Sequence, residues 1–126
     1  MDPNSSPTAA DFQLALDAMR DGVALWSADG RLLVGNRAAG ELMTAPAGLI
    51  RPGVERTAVM TFFAERGDYG PTDDPRALAR ELSDRFGSGA VGTLTRRLPD
   101  GRHVRADAQR LADGRSLVTY REVDGP

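Results

Sequence analysis

The sequence predicts an α+β fold: a five-stranded antiparallel sheet with helices gathered on one face and an amphipathic helix at its N-terminal end. Three observations predict it. Two apolar runs separated by an Asp-Gly turn occupy residues 22–35, and several helical stretches fill residues 36–89. Three strand-like segments, joined by further turns at Asp100-Gly101 and Asp113-Gly114, close the chain. The closing strands read as a meander, and the first hairpin most simply joins the same sheet.

Residues 1–7 carry Pro, Asn and Ser with little to bury, and are expected to form a flexible tail. Thr8-Ala9-Ala10-Asp11 has the form of a capping box. The helix it opens is expected over residues 8–20, with Phe12, Ala15, Leu16 and Met19 on one face. So short a helix is marginal alone, so its apolar face must dock on its own sheet or on a second copy of the chain. The globular core is expected over residues 21–123.

Val23 to Trp26 is the first strand and Arg31 to Gly35 the return strand, with Ala28-Asp29-Gly30 between them. Gly30, Gly101 and Gly114 each supply the positive φ that a tight turn needs. Asn36 is placed to cap a short helix reaching Met43, with Leu42 and Met43 turned inward. Residues 44–53 hold two prolines and two glycines and read as a loop. Glu55 to Arg66 is a firmer helix whose broad apolar face carries Val59, Met60, Phe62 and Phe63. After a break at residues 67–72, Asp73 or Asp74 caps a helix with Pro75 near its first position. Leu78, Leu82 and Phe86 recur along it every fourth residue, and Gly87-Ser88-Gly89 ends it. The last strands are expected at Val91–Leu98, His103–Leu111 and Ser116–Val123. In the second of these, Val104, Ala106 and Ala108 alternate with His103, Arg105, Asp107 and Gln109.

Composition narrows function. A net charge of −2 gives no basic field to recruit nucleic acid. No apolar run approaches the length of a membrane span, and the start resembles no signal peptide, so a cytoplasmic location is the default expectation. There is no Cys, which removes disulfides, thiolate nucleophiles and thiolate metal sites. All 16 basic residues are arginine, so there is no Schiff-base or Walker-type lysine. With one His and no Ser in a nucleophile-elbow pattern, the chain is not expected to be an enzyme.

Several motifs in order carry a family resemblance. GVALWSADGRLLVGNRAAGELM resembles the opening of bacterial PAS domains. AERGDYGPTDDPRAL, RRLPDGRHVR and LADGRSLVTYREVD resemble later segments of one PAS subgroup, so the match runs from about Leu16 to Val123. The resemblance implies a PAS fold and a sensory or protein-interaction role ahead of histidine kinase or diguanylate cyclase modules in bacterial two-component and related signalling. It also implies a homodimer, built by an N-terminal helix packed across the outer sheet face. The subgroup's usual acidic–aliphatic–Thr exit is here Glu122-Val123-Asp124, close to the end of the chain. Both a standalone PAS protein and one separated from its output module fit that ending.

The cofactors known in such folds can be tested against the residues. A LOV-type flavin adduct and a thioester-linked chromophore each need a Cys, and there is none. Haem held by an axial His is not expected, because Glu55–Arg66 contains no His. The single His103 sits among charged strand positions, and a lone His without Cys is a poor basis for a transition-metal site. Flavin held without a thiol stays open, and the cofactor, if any, is not identified. Met43, Met60, Phe62, Phe63, Leu78 and Tyr120 are the candidates to line an apolar pocket for a small molecule; the alternative is that they simply fill the core. Phe12, Leu16, Met19 and an exposed strand residue, Trp26, are the candidates for a dimer interface. Asn36 is expected to be structural, tying strand to helix. Arg96, Arg97, Arg102, Arg105 and Arg110 read as a solvated basic face, with an anionic ligand or partner as the sharper alternative. The leading functional reading is a signal-input domain. A ligand-free dimerisation or docking domain is the second.

Overall fold

The computed structural model describes residues 6–89 and 92–124. Helix α1 (Ala9–Asp17) leads into the hairpin β1 (Gly22–Trp26) and β2 (Leu32–Gly35). Helices α2 (Arg37–Leu42), α3 (Arg56–Arg66) and α4 (Pro75–Ser88) follow, and then strands β3 (Thr93–Arg97), β4 (His103–Arg110) and β5 (Ser116–Val123). The strands form one sheet in the order β2-β1-β5-β4-β3, antiparallel throughout, so the opening hairpin joins the closing meander through β1 and β5. No helix among the described residues is long and apolar enough to cross a membrane.

Local chemistry sets the element ends. Thr8 and Asp11 form the reciprocal capping box of α1, Asn36 caps α2, and Asp74 caps α4 ahead of Pro75. Gly67 and Gly89 end α3 and α4 in the left-handed conformation, which costs a glycine little. Gly30, Gly101 and Gly114 turn the three hairpins at positive φ. A bulge between Leu25 and Trp26 passes over Leu33, so Leu32 faces the core opposite Trp26 while Leu33 is exposed. Gly22 answers a different need. A Cβ there would lie 2.7 Å from Ala39 Cα, so only glycine lets β1 pass this close to α2.

Asn36 fastens three elements. Its Oδ1 accepts from the backbone N–H groups of Val23 and Ala39, at 2.8 and 3.1 Å. Its Nδ2 donates to the carbonyls of Leu16 and Asp21, at 2.8 and 3.0 Å. One buried amide thereby joins the end of α1, the start of β1 and the first turn of α2. It also explains why α1 stops at Asp17 rather than continuing to residue 19 or 20: the Leu16 carbonyl is drawn to Asn36. α1 is otherwise held by polar contacts. Gln13 Nε2 donates to Gly35 O, and Asp17 Oδ1 accepts from Arg37 N.

The core lies between the sheet and α2–α4. Ala24, Trp26, Val104, Ala106, Val118 and Tyr120 come from the sheet, while Met43, Val59 and Phe63 come from the helical side. Met60, Ala79, Leu82 and Phe86 form an adjoining cluster between α3 and α4. Two expectations need correction. Trp26 is buried at 3% exposure, because it shares the inward face of β1 with Ala24. Arg96 belongs to no solvated face and is 4% exposed. Helix α1 buries none of its residues in the single chain: Phe12 is 61% and Met19 44% exposed, and Leu16 is half-buried. The strand expected from Val91 is observed from Thr93, and Val91 lies outside the described residues, as do residues 1–5 of the expected tail.

Candidate functional site

A cavity of about 30 Å³ lies between the inward face of the sheet and α3. That is room for a water or two, or a few non-hydrogen atoms, and far below the roughly 300 Å³ at which drug-sized pockets begin. Most of its wall is apolar, from Ala24, Ala39, Ile50, Val59, Phe86, Ala106 and Val118 among others. Among the described lining residues, the only charged ones are Arg56 and Arg96.

Arg96 reaches the interior because β3 alternates: Leu94 and Arg96 turn to the helices while Thr93, Thr95 and Arg97 face away. Its guanidinium lies against two aromatic rings, 4.8 Å from the Phe63 centroid and 5.0 Å from that of Tyr69. Each such contact contributes about 0.5–2 kcal/mol, depending on desolvation. Its carboxylate neighbour is the fully buried Asp68, with Oδ2 at 3.9 Å from Nη1, beyond hydrogen-bond reach. Asp68 is already engaged by Arg66, which donates from Nε to Oδ1 at 2.9 Å and from Nη2 to Oδ2 at 2.7 Å. This two-bond fork is the strong form of an arginine–carboxylate pair. Arg66 also donates to the carbonyls of Met43 and Thr44, satisfying the chain just past the end of α2. The cluster of Arg66, Asp68 and Arg96 thus keeps one net positive charge.

Four buried polar atoms in this region have no hydrogen-bond partner among the described residues: Arg96 Nε and Nη1, the Tyr69 hydroxyl and Trp26 Nε1. The Tyr69 hydroxyl feels the Arg96 charge and the Trp26 indole N–H lies near the Tyr120 hydroxyl, in neither case with a well-formed hydrogen bond. Burial pushes the Tyr69 hydroxyl up to about 12, against the opposing pull of Arg96. Burial raises Tyr120 as well, against the pull of Arg96 and Arg56. Both phenols are therefore protonated donors at neutral pH. Arg56 donates from Nε to Ser83 Oγ at 3.0 Å and lies 5.8 Å from the Trp26 ring. Burial pulls its pKa down from the usual arginine value, and Tyr120 and Asp84 oppose that.

A sequence profile for the family described as the PAS fold matches residues 16–124. The chain belongs to the PAS fold family. Among solved structures, the PAS domain of Bordetella pertussis BvgS is similar at TM-score 0.57 and 17% identity, over 90% of this chain and 85% of that one. A domain of a sensory box sensor histidine kinase/response regulator from Geobacter sulfurreducens matches at TM-score 0.49 and 18% identity, over 90% and 92% of the two chains. The photoactive yellow protein domain of the sensor histidine kinase Ppr from Rhodospirillum centenum matches at 0.49 and 19%, over 86% and 91%. No protein of curated function matches in sequence.

Within this PAS domain, Met43, Met60, Phe63 and Tyr120 line the cavity, whereas Phe62 and Leu78 do not. Phe62 packs edge-on against Phe63 at 5.5 Å, and Leu78 packs against the α3–α4 cluster. Trp26 joins the cavity wall rather than an outer surface. Arg56, Tyr69 and Arg96 line the cavity without having been singled out as pocket residues from sequence. A signal for Arg96 was available: it sits two residues from both Leu94 and Leu98 on a strand whose period is two.

Proposed function

We propose that this PAS domain is the sensory input module of a signalling protein, and that a small molecule entering the core cavity is its signal. The buried donor set at the cavity carries this reading. A polar group withdrawn from water and left unpaired costs about 1–3 kcal/mol, and four such atoms beside one cavity fit a ligand that pairs with them. Binding rather than catalysis is the proposed activity, and a kinase or cyclase module of the kind expected from sequence is the proposed recipient. A ligand that favours one packing of α3 and α4 against the sheet shifts the population of that packing. Asn36 then relays the shift to the end of α1 through its bond to the Leu16 carbonyl.

Native mass spectrometry of the protein purified from its own host, paired with methyl NMR, tests the reading. The expected result is a reproducible small added mass, with shifts at Met43 and Met60 when it is removed. No added mass, and methyl signals unmoved by any small molecule in a screening set, would overturn it.

One observation favours a second reading, a homodimerising docking domain. Phe12, Leu14 and Met19 are exposed at 61%, 72% and 44% in the single chain. Phe12 and Leu14 lie on α1 and Met19 just past its end, and apolar side chains mark contact surfaces when they stay uncovered. Sedimentation of the chain against Phe12→Asp and Leu14→Asp variants decides it. A dimer that these charges dissociate supports the reading, and a monomer at millimolar concentration removes it.

A further inference from the structure

We propose that the cavity is selective for a small organic anion: a carboxylate head on a short apolar body. This rests on the sensory reading above and gives its ligand a chemical class. Three observations lead to it. Arg56 and Arg96 are the only charged residues in the described lining, so the site carries positive charge and no carboxylate of its own. The unpaired atoms are donors: the guanidinium and indole nitrogens can only donate, and the buried phenol keeps its proton. They are complementary to an acceptor-rich group and offer little to a cation or an amine. The third observation is the competition for Asp68. Arg66 holds that carboxylate in a two-bond fork at 2.7 and 2.9 Å, while Arg96 stands off at 3.9 Å. Arg96 is thus a buried cation whose nearby counter-ion is committed elsewhere, and a second carboxylate can complete it.

Size and polarity set the remaining limits. A volume of about 30 Å³ admits a few non-hydrogen atoms, which points to a short-chain monocarboxylate rather than a nucleotide or a flavin. Beyond the donors the wall is apolar, with Met43, Met60, Val59 and Val118 available to a two- or three-carbon body.

The test uses the full chain and ¹³C-labelled propionate, with propionamide and 1-propanol as neutral partners of nearly the same shape. The expected result is saturable propionate binding, with NMR cross-peaks to the Met43 and Met60 methyls and at least tenfold weaker binding of both neutral compounds. Arg96→Met is expected to weaken propionate by roughly tenfold to a hundredfold, the loss of a hydrogen bond to a charged group. Arg96→Lys, which keeps the charge, should fall between. Neutral compounds binding as tightly as propionate, at the same methyls, would overturn the anion assignment and leave the sensory reading standing. Propionate effects of equal size in wild type and Arg96→Met would mark a non-specific ion effect and overturn it too. An absence of cross-peaks from all three compounds overturns the anion assignment. Whether the sensory reading falls with it is decided separately, by the added mass and the wider screen.

Discussion

Replacing Asp68 by Asn removes one charge from the core at constant volume. The side chain of Asp68 is fully buried and holds two charge-assisted bonds from Arg66, with the Arg96 cation 3.9 Å away. The substitution leaves two guanidinium groups beside a neutral amide. Breaking a buried ion pair from one side costs about 3–5 kcal/mol, because the remaining charge is desolvated without compensation. For 126 residues, an unfolding entropy of about 2.1 cal/mol/K per residue converts that to a fall in Tm of roughly 11–19 °C. Arg96→Met is a different perturbation. Asp68 keeps its fork from Arg66, and the cation with unpaired donors disappears. The lost ring contacts, each about 0.5–2 kcal/mol, are offset by the removed desolvation, so the net change is within about 1 kcal/mol. The double variant, with one buried cation instead of two, should recover about half of the Asp68→Asn loss. Urea unfolding followed by tryptophan fluorescence measures all three, since Trp26 is the only tryptophan. If Arg96→Met alone costs as much as Asp68→Asn, then Arg96 is the principal partner of Asp68, and the division of labour between the two arginines is wrong.

Further outcomes follow from single features. Asn36→Ala removes a cap and leaves Val23 N–H, Leu16 O and Asp21 O without their side-chain partner, so a loss of about 2–4 kcal/mol is expected by urea unfolding; less than 1 would show that water replaces the amide freely. Gly22→Ala forces a Cβ against the Ala39 backbone and should cost about 1–3 kcal/mol, with the largest amide shifts in α2. The two tyrosines of the chain, Tyr69 and Tyr120, both have raised folded pKa values, so their contribution to stability is present below about pH 10 and is lost as pH rises toward the folded values. Absorbance at 295 nm should therefore show less phenolate in the folded protein at pH 10.5 than in the urea-unfolded chain at the same pH, and a normal tyrosine titration there would contradict the buried placement. Asp100 and Asp113 are held below the usual carboxylate range, Asp100 first by the backbone N–H of Arg102 and Asp113 first by the Arg115 side chain. Their stabilisation is present above about pH 4 and lost as pH falls through the folded values, so Asp100→Asn with Asp113→Asn should flatten the acid limb of a Tm–pH profile.

The fold was legible because its signals are local and repeated. Three Asp-Gly turns mark the hairpins, Thr8-Asp11, Asn36 and Asp74 mark the helix starts, and alternation in His103–Arg110 marks a half-buried strand. Facing directions were harder to read. In Val23-Ala24-Leu25-Trp26 every residue is apolar, so a period of two gives no inward side, and Trp26 could be assigned only once β5 and the helices were in place. Arg96 was misread for the opposite reason: residue type suggested solvent, while its spacing from Leu94 and Leu98 pointed inward. Asp68 lay in a stretch read only as a break, and nothing in its local sequence marks it as the partner of Arg66 and Arg96. In α1 the expected apolar face exists, but the single chain leaves it exposed, and periodicity says nothing about what covers a face.

The arginines of the core have a consequence for how the cavity wall answers to its surroundings. Guanidinium keeps its proton throughout the range of living cells, and the phenols beside it do too. The chain's one histidine, His103, is not among the cavity-lining residues. Acidification or alkalinisation of the surroundings therefore changes no charge among the described residues of the cavity wall. With no cysteine in the chain, thiol oxidation has no purchase there either. The described wall therefore offers no group whose charge or oxidation state follows acidity or thiol oxidants, and what can alter it is a change in packing or in occupancy.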